Sequence, residues 1–491
     1  MEYFSTRNRS ERRSAPQAIA EGLAPDGGLY VPERIPKIDA AALGELCALD
    51  YRARAKRIMA PFLEEFSGEE LEALIDAAYG ERFDTPAVAP LRRLNGDTAF
   101  LELWHGPTCA FKDMALQVLP RLLTASLKKT GETRQVCILV ATSGDTGKAA
   151  LEGFKDVPGT RIFVFYPDGG VSPAQRLQMV TQEGDNVAVS AVRGNFDDAQ
   201  SGVKRIFSDR AFAGKLSERG WFLSSANSIN WGRLLPQIVY YFSAYCDLVN
   251  AGGVPLGAPV NFCVPTGNFG NILAGWFARE MGLPAARFVC ASNANNVLTD
   301  FIRSGVYDRN RPFHTTISPS MDILVSSNLE RLLYQMEGDR AAAAYMERLN
   351  REGRYSVEPE TLSRIQACFS AGFCGDTETR AAIGGLYRAE GYLMDPHTAV
   401  AYRVLEDYRR ESGDKKPAIV VSTASPFKFA ADVAAALGKN PAEGEDPMEL
   451  LSRHTGLPVP GPLAGLSSRP VRFGGSVEKE NMRDSVEAFL A

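Results

Sequence analysis

From about residue 98 the chain alternates short apolar runs with stretches of helical spacing, and no other feature limits its fold as tightly. Thr98–Trp104 leads into one helical pattern, and Val136–Ala141, Ile162–Tyr166, Val187–Val192, Trp221–Ser224 and Asn261–Pro265 each lead into another. A late strand, Pro417–Ser422, is followed by one more loop and helix. Short continuous apolar strands separated by helices need cover on both faces, so the pattern predicts an α/β fold with parallel sheet. Ligands in such sheets bind beyond the carboxyl ends of the strands, which directs attention to the strand-to-helix loops.

At 491 residues the chain is too long for one ordinary core, and two or more domains are expected. Residues 1–87 open polar and turn-rich, then show helical patterns at Ala41–Pro61 and Glu69–Ala78, predicting a small α-rich N-terminal domain. Residues 326–412 read as mostly helical, over Leu329–Gln335, Arg340–Leu349, Glu360–Phe373, Thr377–Glu390 and His397–Tyr408. From about residue 440 the chain is rich in proline and glycine (LPVPGPLAGLSS), and a tail wrapping the surface is expected. There is no internal repeat.

Net charge is −5 with signs intermixed, which gives no basic footprint for nucleic acid or a membrane surface. The first residues lack the apolar stretch of a signal peptide, and Glu2 and Glu11 argue against a transit peptide. No apolar run approaches the ~20 residues of a membrane helix. The expected location is the cytoplasm. None of the eight cysteines forms a C-x-x-C pair, and most sit in apolar runs as reduced core residues. The four histidines are scattered singly, so no metal site is expected.

Lys112 lies where the strand Thr98–Trp104 turns through Gly106-Pro107 into a helical pattern bearing Phe111, Ala115, Val118 and Leu122. A lysine in a first helical turn faces the positive end of the dipole, which favours the free, nucleophilic amine. Such an amine forms a Schiff base with a carbonyl or an aldehyde cofactor; for a lysine taken alone the solvated-surface reading wins by roughly fifty to one, and it is the company of other motifs that overturns it. The loop Ala141–Lys148 (ATSGDTGK) offers hydroxyls and amides at a helix start, either for an anion or as plain caps. It is no Walker A loop, since Thr142 and Ala149 stand where glycine and a magnesium-binding hydroxyl are required. Gly267-Asn268-Phe269-Gly270-Asn271 suits a mononucleotide-sized phosphate, or marks a tight turn. Ser422 and Thr423 offer a hydroxyl partner or a helix cap. In Ser224–Arg233, amides and hydroxyls gather beside Arg233, which can grip a phosphate or carboxylate bidentately.

Taken together, GLAPDGGLYVP, HGPTCAFKD, ATSGDTG, SANSINWGR, PTGNFGN and DPHTAVAY occur in one order along nearly the whole chain. This set resembles the threonine synthase family, pyridoxal-phosphate enzymes of the tryptophan-synthase-β fold group (fold type II). The resemblance implies two parallel-sheet lobes with an added N-terminal domain. Residues 88–127 and 228–440 would form the large cofactor lobe, with a helical insertion near 326–412. Residues 128–227 would form the small α/β lobe and 441–491 a C-terminal tail. Lys112 would bind pyridoxal 5'-phosphate covalently, and Gly267, Asn268, Phe269, Gly270 and Asn271 would wrap its phosphate. Thr423 would face the pyridine nitrogen, and Asp145 would lie by the cofactor hydroxyl, where shorter relatives carry Asn. Thr142, Ser143, Thr146, Asn227, Ser228 and Arg233 would hold the substrate phosphate. The late loop reads Ser425-Pro426 where some relatives have His-Pro, leaving Thr423 and Lys428 in place.

The implied reaction turns O-phospho-L-homoserine and water into L-threonine and phosphate by γ-elimination and β-addition. The enzyme class is a carbon–oxygen lyase acting on phosphates, in amino-acid biosynthesis. Lys112 would serve as base and acid, with the cofactor ring as electron sink. A hypothesis that released phosphate also shuttles protons predicts that a non-leaving phosphonate analogue exchanges its α proton without eliminating; loss of exchange would remove the lysine assignment. Two rivals remain: a phospho-lyase or dehydratase forming 2-oxobutyrate, and a silent binder of pyridoxal phosphate or anions. The expected partner is the small-molecule substrate alone, bound by a monomer or homodimer.

Overall fold

The computed structural model describes residues 1–94 and 96–491. Its larger sheet runs Phe369–Phe373, Ala285–Ser292, Val260–Pro265, Ala418–Ser422, Thr98–Glu102, Leu91–Arg93. Every neighbouring pair is parallel except the last, an antiparallel edge. The smaller sheet runs Ser476–Glu478, Val187–Arg193, Thr160–Pro167, Gln135–Ala141, Trp221–Ser224 and is parallel throughout. The central strands Val260–Pro265 and Ala418–Ser422 are buried along their whole length, which explains their lack of polar alternation.

The helix Trp231–Asn250 has seventeen of its twenty residues buried. A helix apolar on nearly every side belongs inside a core. It packs on Gly270–Met281 through Gly275, where a Cβ would stand 2.6 Å from the Phe288 ring and 2.7 Å from that of Tyr241. Only glycine allows that approach, and it carries Arg233 and the Gly267–Asn271 loop on adjoining helix starts.

Several elements differ from the sequence reading. The N-terminal region contains helices but also a three-stranded antiparallel sheet of Arg12–Ser14, Glu2–Ser5 and Tyr30–Pro32. Strands of three or four residues show no period. The pattern at Ala41–Pro61 is two helices, Ala40–Cys47 and Tyr51–Met59, because Asp50 caps the second by accepting from Ala53 N at 2.8 Å. Glu360–Phe373 is not one helix: Pro359–Cys368 is helical and Phe369–Phe373 is the edge strand. The strand Ala285–Ser292 went unforeseen, since Arg287 and three alanines dilute its apolar run.

The tail does more than wrap the surface. Ser476–Glu478 adds a strand to the small sheet, and Met482–Phe489 packs on the helix Phe196–Ser208. There Gly202 faces Met482, whose Sδ would stand 2.2 Å from a Cβ at that position. The C-terminal residues therefore belong to the small lobe's structure. Among the described residues no helix is long and apolar enough to cross a membrane.

Candidate active site

Four loops at carboxyl ends of parallel strands converge around Lys112. The lysine's own turn is locked by Asp113, whose carboxylate accepts from Thr108 N at 2.8 Å and Thr108 Oγ1 at 2.7 Å. At Gly106 a Cβ would fall 2.6 Å from Asp113 Oδ2, so the Gly-Pro turn and the acid require each other. Burial, partly offset by those Thr108 bonds, pushes Asp113 up to about 6. The turn is also zipped to the late loop: Phe111 N donates to Thr423 O at 2.8 Å and Ser425 N to Cys109 O at 3.0 Å. That pairing fixes Thr423 one residue from Lys112.

Lys112 is 9% exposed. Its Nζ lies 3.3 Å from Ser320 Oγ and 3.8 Å from Asp145 Oδ2. Its pKa is lowered to about 8, chiefly by burial, with Lys428 and Arg233 adding repulsion and Asp145 opposing them. The helix dipole expected from the sequence is not the cause, since Asp113–Leu116 is a single turn ended by a break before Pro120.

Asp145 opens the helix Asp145–Phe154 of the small lobe. Its Oδ1 pairs with Lys428 Nζ at 2.7 Å and accepts from Gln175 Nε2 at 2.9 Å. Burial works against its charge, yet Lys428 and Lys112 hold the carboxyl well below the usual carboxylate range. Lys428, 1% exposed, also donates to Thr108 O at 2.9 Å. Gly144 (φ +132°) lies against Gln175, whose side chain would meet a Cβ at 2.4 Å.

In the same loop Thr142 Oγ1 accepts from Gly144 N and Gly147 N, both at 2.9 Å. The N–H groups of Ser143, Asp145 and Thr146 have no hydrogen-bond acceptor among the described residues. The loop Gly267–Asn271 is built likewise. Gly267 O accepts from Ser326 Oγ at 2.7 Å, and Asn268 O accepts from Asn328 N and Nδ2, each at 3.1 Å. The carbonyls are occupied, whereas the N–H groups of Gly267, Asn268, Phe269 and Gly270 have no acceptor among the described residues. Phe269 holds φ 62°, a left-handed conformation rare for a bulky residue, and its ring is buried on Phe369. Free N–H groups before the helix Gly270–Met281 form a cradle for an anion. Asn271 Oδ1 accepts from Tyr240 at 2.6 Å and Tyr241 at 2.7 Å, while its buried Nδ2 has no partner.

Arg233 is 3% exposed and donates from Nη1 to Ala226 O at 2.5 Å. Its Nε is buried without a partner, and no carboxylate pairs with it among the described residues. Burial lowers its pKa to about 10, the mark of a cation without its counter-charge. Ser228 Oγ accepts from Asn328 Nδ2 at 3.2 Å, and Asn227 caps the turn through its carbonyl to Asn230 N at 3.1 Å. These orphaned donors fit an organic phosphate, and an amine beside them fits its aldehyde.

Comparison with known proteins agrees with that chemistry. Family models match residues 2–79 as "Threonine synthase N terminus", 83–374 as "Pyridoxal-phosphate dependent enzyme" and 398–489 as "Threonine synthase, C-terminal". The chain belongs to the threonine synthase family of pyridoxal-phosphate-dependent enzymes. It is 42% identical to the threonine synthase of Pseudomonas aeruginosa over 449 residues, covering 90% of this chain and 92% of that one. Threonine synthase-like 1 of Homo sapiens is 43% identical over 433 residues, covering 86% of this chain; that protein is longer, and 58% of it is spanned. The crystal structure of PLP-bound threonine synthase from Brucella melitensis superposes with a TM-score of 0.87 at 39% identity, covering 100% of this chain and 98% of that one.

Within this family fold, several site residues escaped the sequence reading. Gln175 in the helix Pro173–Val180, Ser320 in the short turn Pro319–Met321 and Asn328 at a helix start carry no distinguishing spacing. Arg331, fully buried, ties Tyr30 O at 3.0 Å to Ile229 O at 2.5 Å, so the N-terminal sheet buttresses the Asn227–Asn230 turn. Lys428 stood in a noted loop, but nothing local announced its pairing with Asp145.

The lowered pKa carries a testable sign. An amine captures an aldehyde only when neutral, so cofactor-free protein should take up pyridoxal phosphate faster as pH rises, with a midpoint near 8. An unperturbed lysine would place that midpoint near ~10.4. In Lys428→Met the repulsion disappears and Asp145 turns wholly to Lys112, so the midpoint should rise. Removing one partner of a buried pair should also cost about 3 kcal/mol in urea unfolding.

Proposed function

We propose that this chain is a threonine synthase, converting O-phospho-L-homoserine and water to L-threonine and phosphate with pyridoxal 5'-phosphate as cofactor. The observation that carries the reading is a buried amine with a pKa near 8, ringed by phosphate-sized donor sets that lack counter-charges. Lys112 would hold the cofactor, and the N–H groups of Gly267, Asn268, Phe269 and Gly270, with Asn271, would receive its phosphate. Thr423 would stand at the ring nitrogen as a neutral partner. When bound, the cofactor supplies an aldehyde that captures amines and a ring that draws electrons from the adjoining carbon.

The chain's own residues do the rest. Lys112 Nζ, its pKa lowered to about 8 so that a large share is neutral there, would take the α proton and return it, keeping donor and acceptor roles in one flexible group. Arg233, with Thr142, Ser143, Thr146, Asn227 and Ser228, would grip the substrate phosphate and keep its charge stabilised as it leaves Cγ. Asp145, held ionised between Lys428 and Lys112, would lie beside the cofactor hydroxyl and receive its proton-bearing face.

Incubating purified protein with O-phospho-L-homoserine and identifying the product tests the proposal: threonine is expected. Formation of 2-oxobutyrate instead would assign the scaffold to the dehydratase reading. We place the protein in the cytoplasm as a monomer or homodimer, which fractionation and sedimentation equilibrium check.

A further inference from the structure

The segment Asp395-Pro396-His397-Thr398 belongs to a recognised motif, yet nothing above gives it work. We propose that Asp395 is a positioning hub that holds Ser320 against Lys112 through His397, and holds Thr423 through Thr398. The proposal rests on reading Lys112 and Thr423 as cofactor residues.

Asp395 is fully buried and caps the helix Pro396–Ser412. A cap needs acceptors only for first-turn N–H groups, which Asp395 provides to His397 N at 2.9 Å and Thr398 N at 3.3 Å. The carboxylate does more. Oδ1 also meets His397 Nδ1 at 2.7 Å, and Oδ2 accepts from Thr398 Oγ1. Two side chains thus leave one carboxylate in different directions.

The first arm runs through the imidazole. His397 Nε2 accepts from Ser320 N–H at 3.1 Å, so that nitrogen carries no proton and Nδ1–H points at Asp395. The ring is 3% exposed and packed edge-on to Phe429, which leaves it one orientation. Ser320 Oγ in turn stands between Lys112 Nζ and Asp145 Oδ2, 3.3 Å from each. Ser320 O also backs the phosphate cradle, for a Cβ at Gly267 would come within 2.9 Å of it. A shift of this one residue would disturb both the amine and the cradle.

The second arm is shorter. With its proton on Asp395, Thr398 Oγ1 accepts from Thr423 N–H at 3.3 Å and lies 3.2 Å from Ser422 Oγ. This fixes the strand end from which the Thr423 side chain departs. Ser320 touches the reacting amine and is assigned as a further catalytic residue; Asp395, His397 and Thr398 act through their neighbours as positioning residues.

The test begins on cofactor-free protein, with Lys112 acetylation by acetic anhydride followed by mass spectrometry across pH. The groups facing Lys112 are Asp145, Lys428 and Arg233, so a displaced amine samples a changed field. Ser320→Ala and His397→Ala should move the acetylation midpoint by at least about half a unit. In His397→Gln, where the amide oxygen can accept from Ser320 N–H, it should return to the wild-type value. In cofactor-loaded protein, the first two variants should slow α-proton exchange of a phosphonate substrate analogue about tenfold with KM little changed. The double variant should be no slower than either single one. Thr398→Val should weaken pyridoxal phosphate binding about tenfold without moving the Lys112 midpoint. An unmoved midpoint in Ser320→Ala, additive losses in the double variant, or a Gln variant no better than Ala would overturn the first arm, and wild-type cofactor affinity in Thr398→Val the second. Should His397→Ala fail to fold, Ser320→Ala and His397→Gln still decide. Wild-type protein that takes up no cofactor would instead sink the functional reading, while the acetylation result on the first arm stands.

Discussion

Lys112→Ala should abolish threonine formation, with turnover falling by about a thousandfold or more. The variant should also lose the visible absorption of bound cofactor, because covalent capture needs an amine. No neighbouring lysine substitutes readily. Lys428 is committed to Asp145 and Thr108 O, and Lys148 is paired with Glu152 and Gln182. Folding should survive, since among the described residues the Lys112 amine makes one long hydrogen bond to Ser320 and one long ion pair to Asp145. Activity and spectrum, read beside an unfolding curve, separate loss of chemistry from loss of structure.

The second large effect concerns Arg233. Arg233→Leu should lower kcat/KM by about a hundredfold to a thousandfold, the range for removing a buried charge that binds an anion. Stability should move the other way or not at all. A buried guanidinium with an unpartnered Nε and, among the described residues, no carboxylate costs the folded state desolvation energy that leucine does not. A loss of activity with an equal or higher unfolding midpoint would mark the arginine as held for function at the expense of stability. A matching loss of both would make it a structural residue.

How far the sequence could foresee this site depended on how local each signal was. Strands such as Val187–Arg193 and Trp221–Ser224 were visible as apolar runs that needed no distant information, whereas Leu91–Arg93, Ala285–Ser292 and Phe369–Phe373 were not. Glycine-bearing loops at strand ends were visible as turns, and Gly106 answers to nearby Asp113, but Gly144 and Gly267 answer to Gln175 and Ser320, which are distant in the chain. Ser476–Glu478 was hidden because three residues carry no period and its partner lies nearly 300 positions away. Ser320 was hidden because its importance comes from His397, 77 residues on, and from Lys112, 208 residues back. The motif containing Asp395 was legible as a resemblance, but its branching hydrogen bonds exist only in three dimensions. The lowered Lys112 pKa was foreseen for a helix end and found to arise from burial and two cations, so the right direction came with the wrong cause.

The most direct measurement is to load the protein with pyridoxal phosphate, reduce it with borohydride, digest it and map the labelled peptide. The label should sit on Lys112 alone, at about one per chain. A label on Lys428 or Lys148, or none on any lysine, would contradict the account at its base.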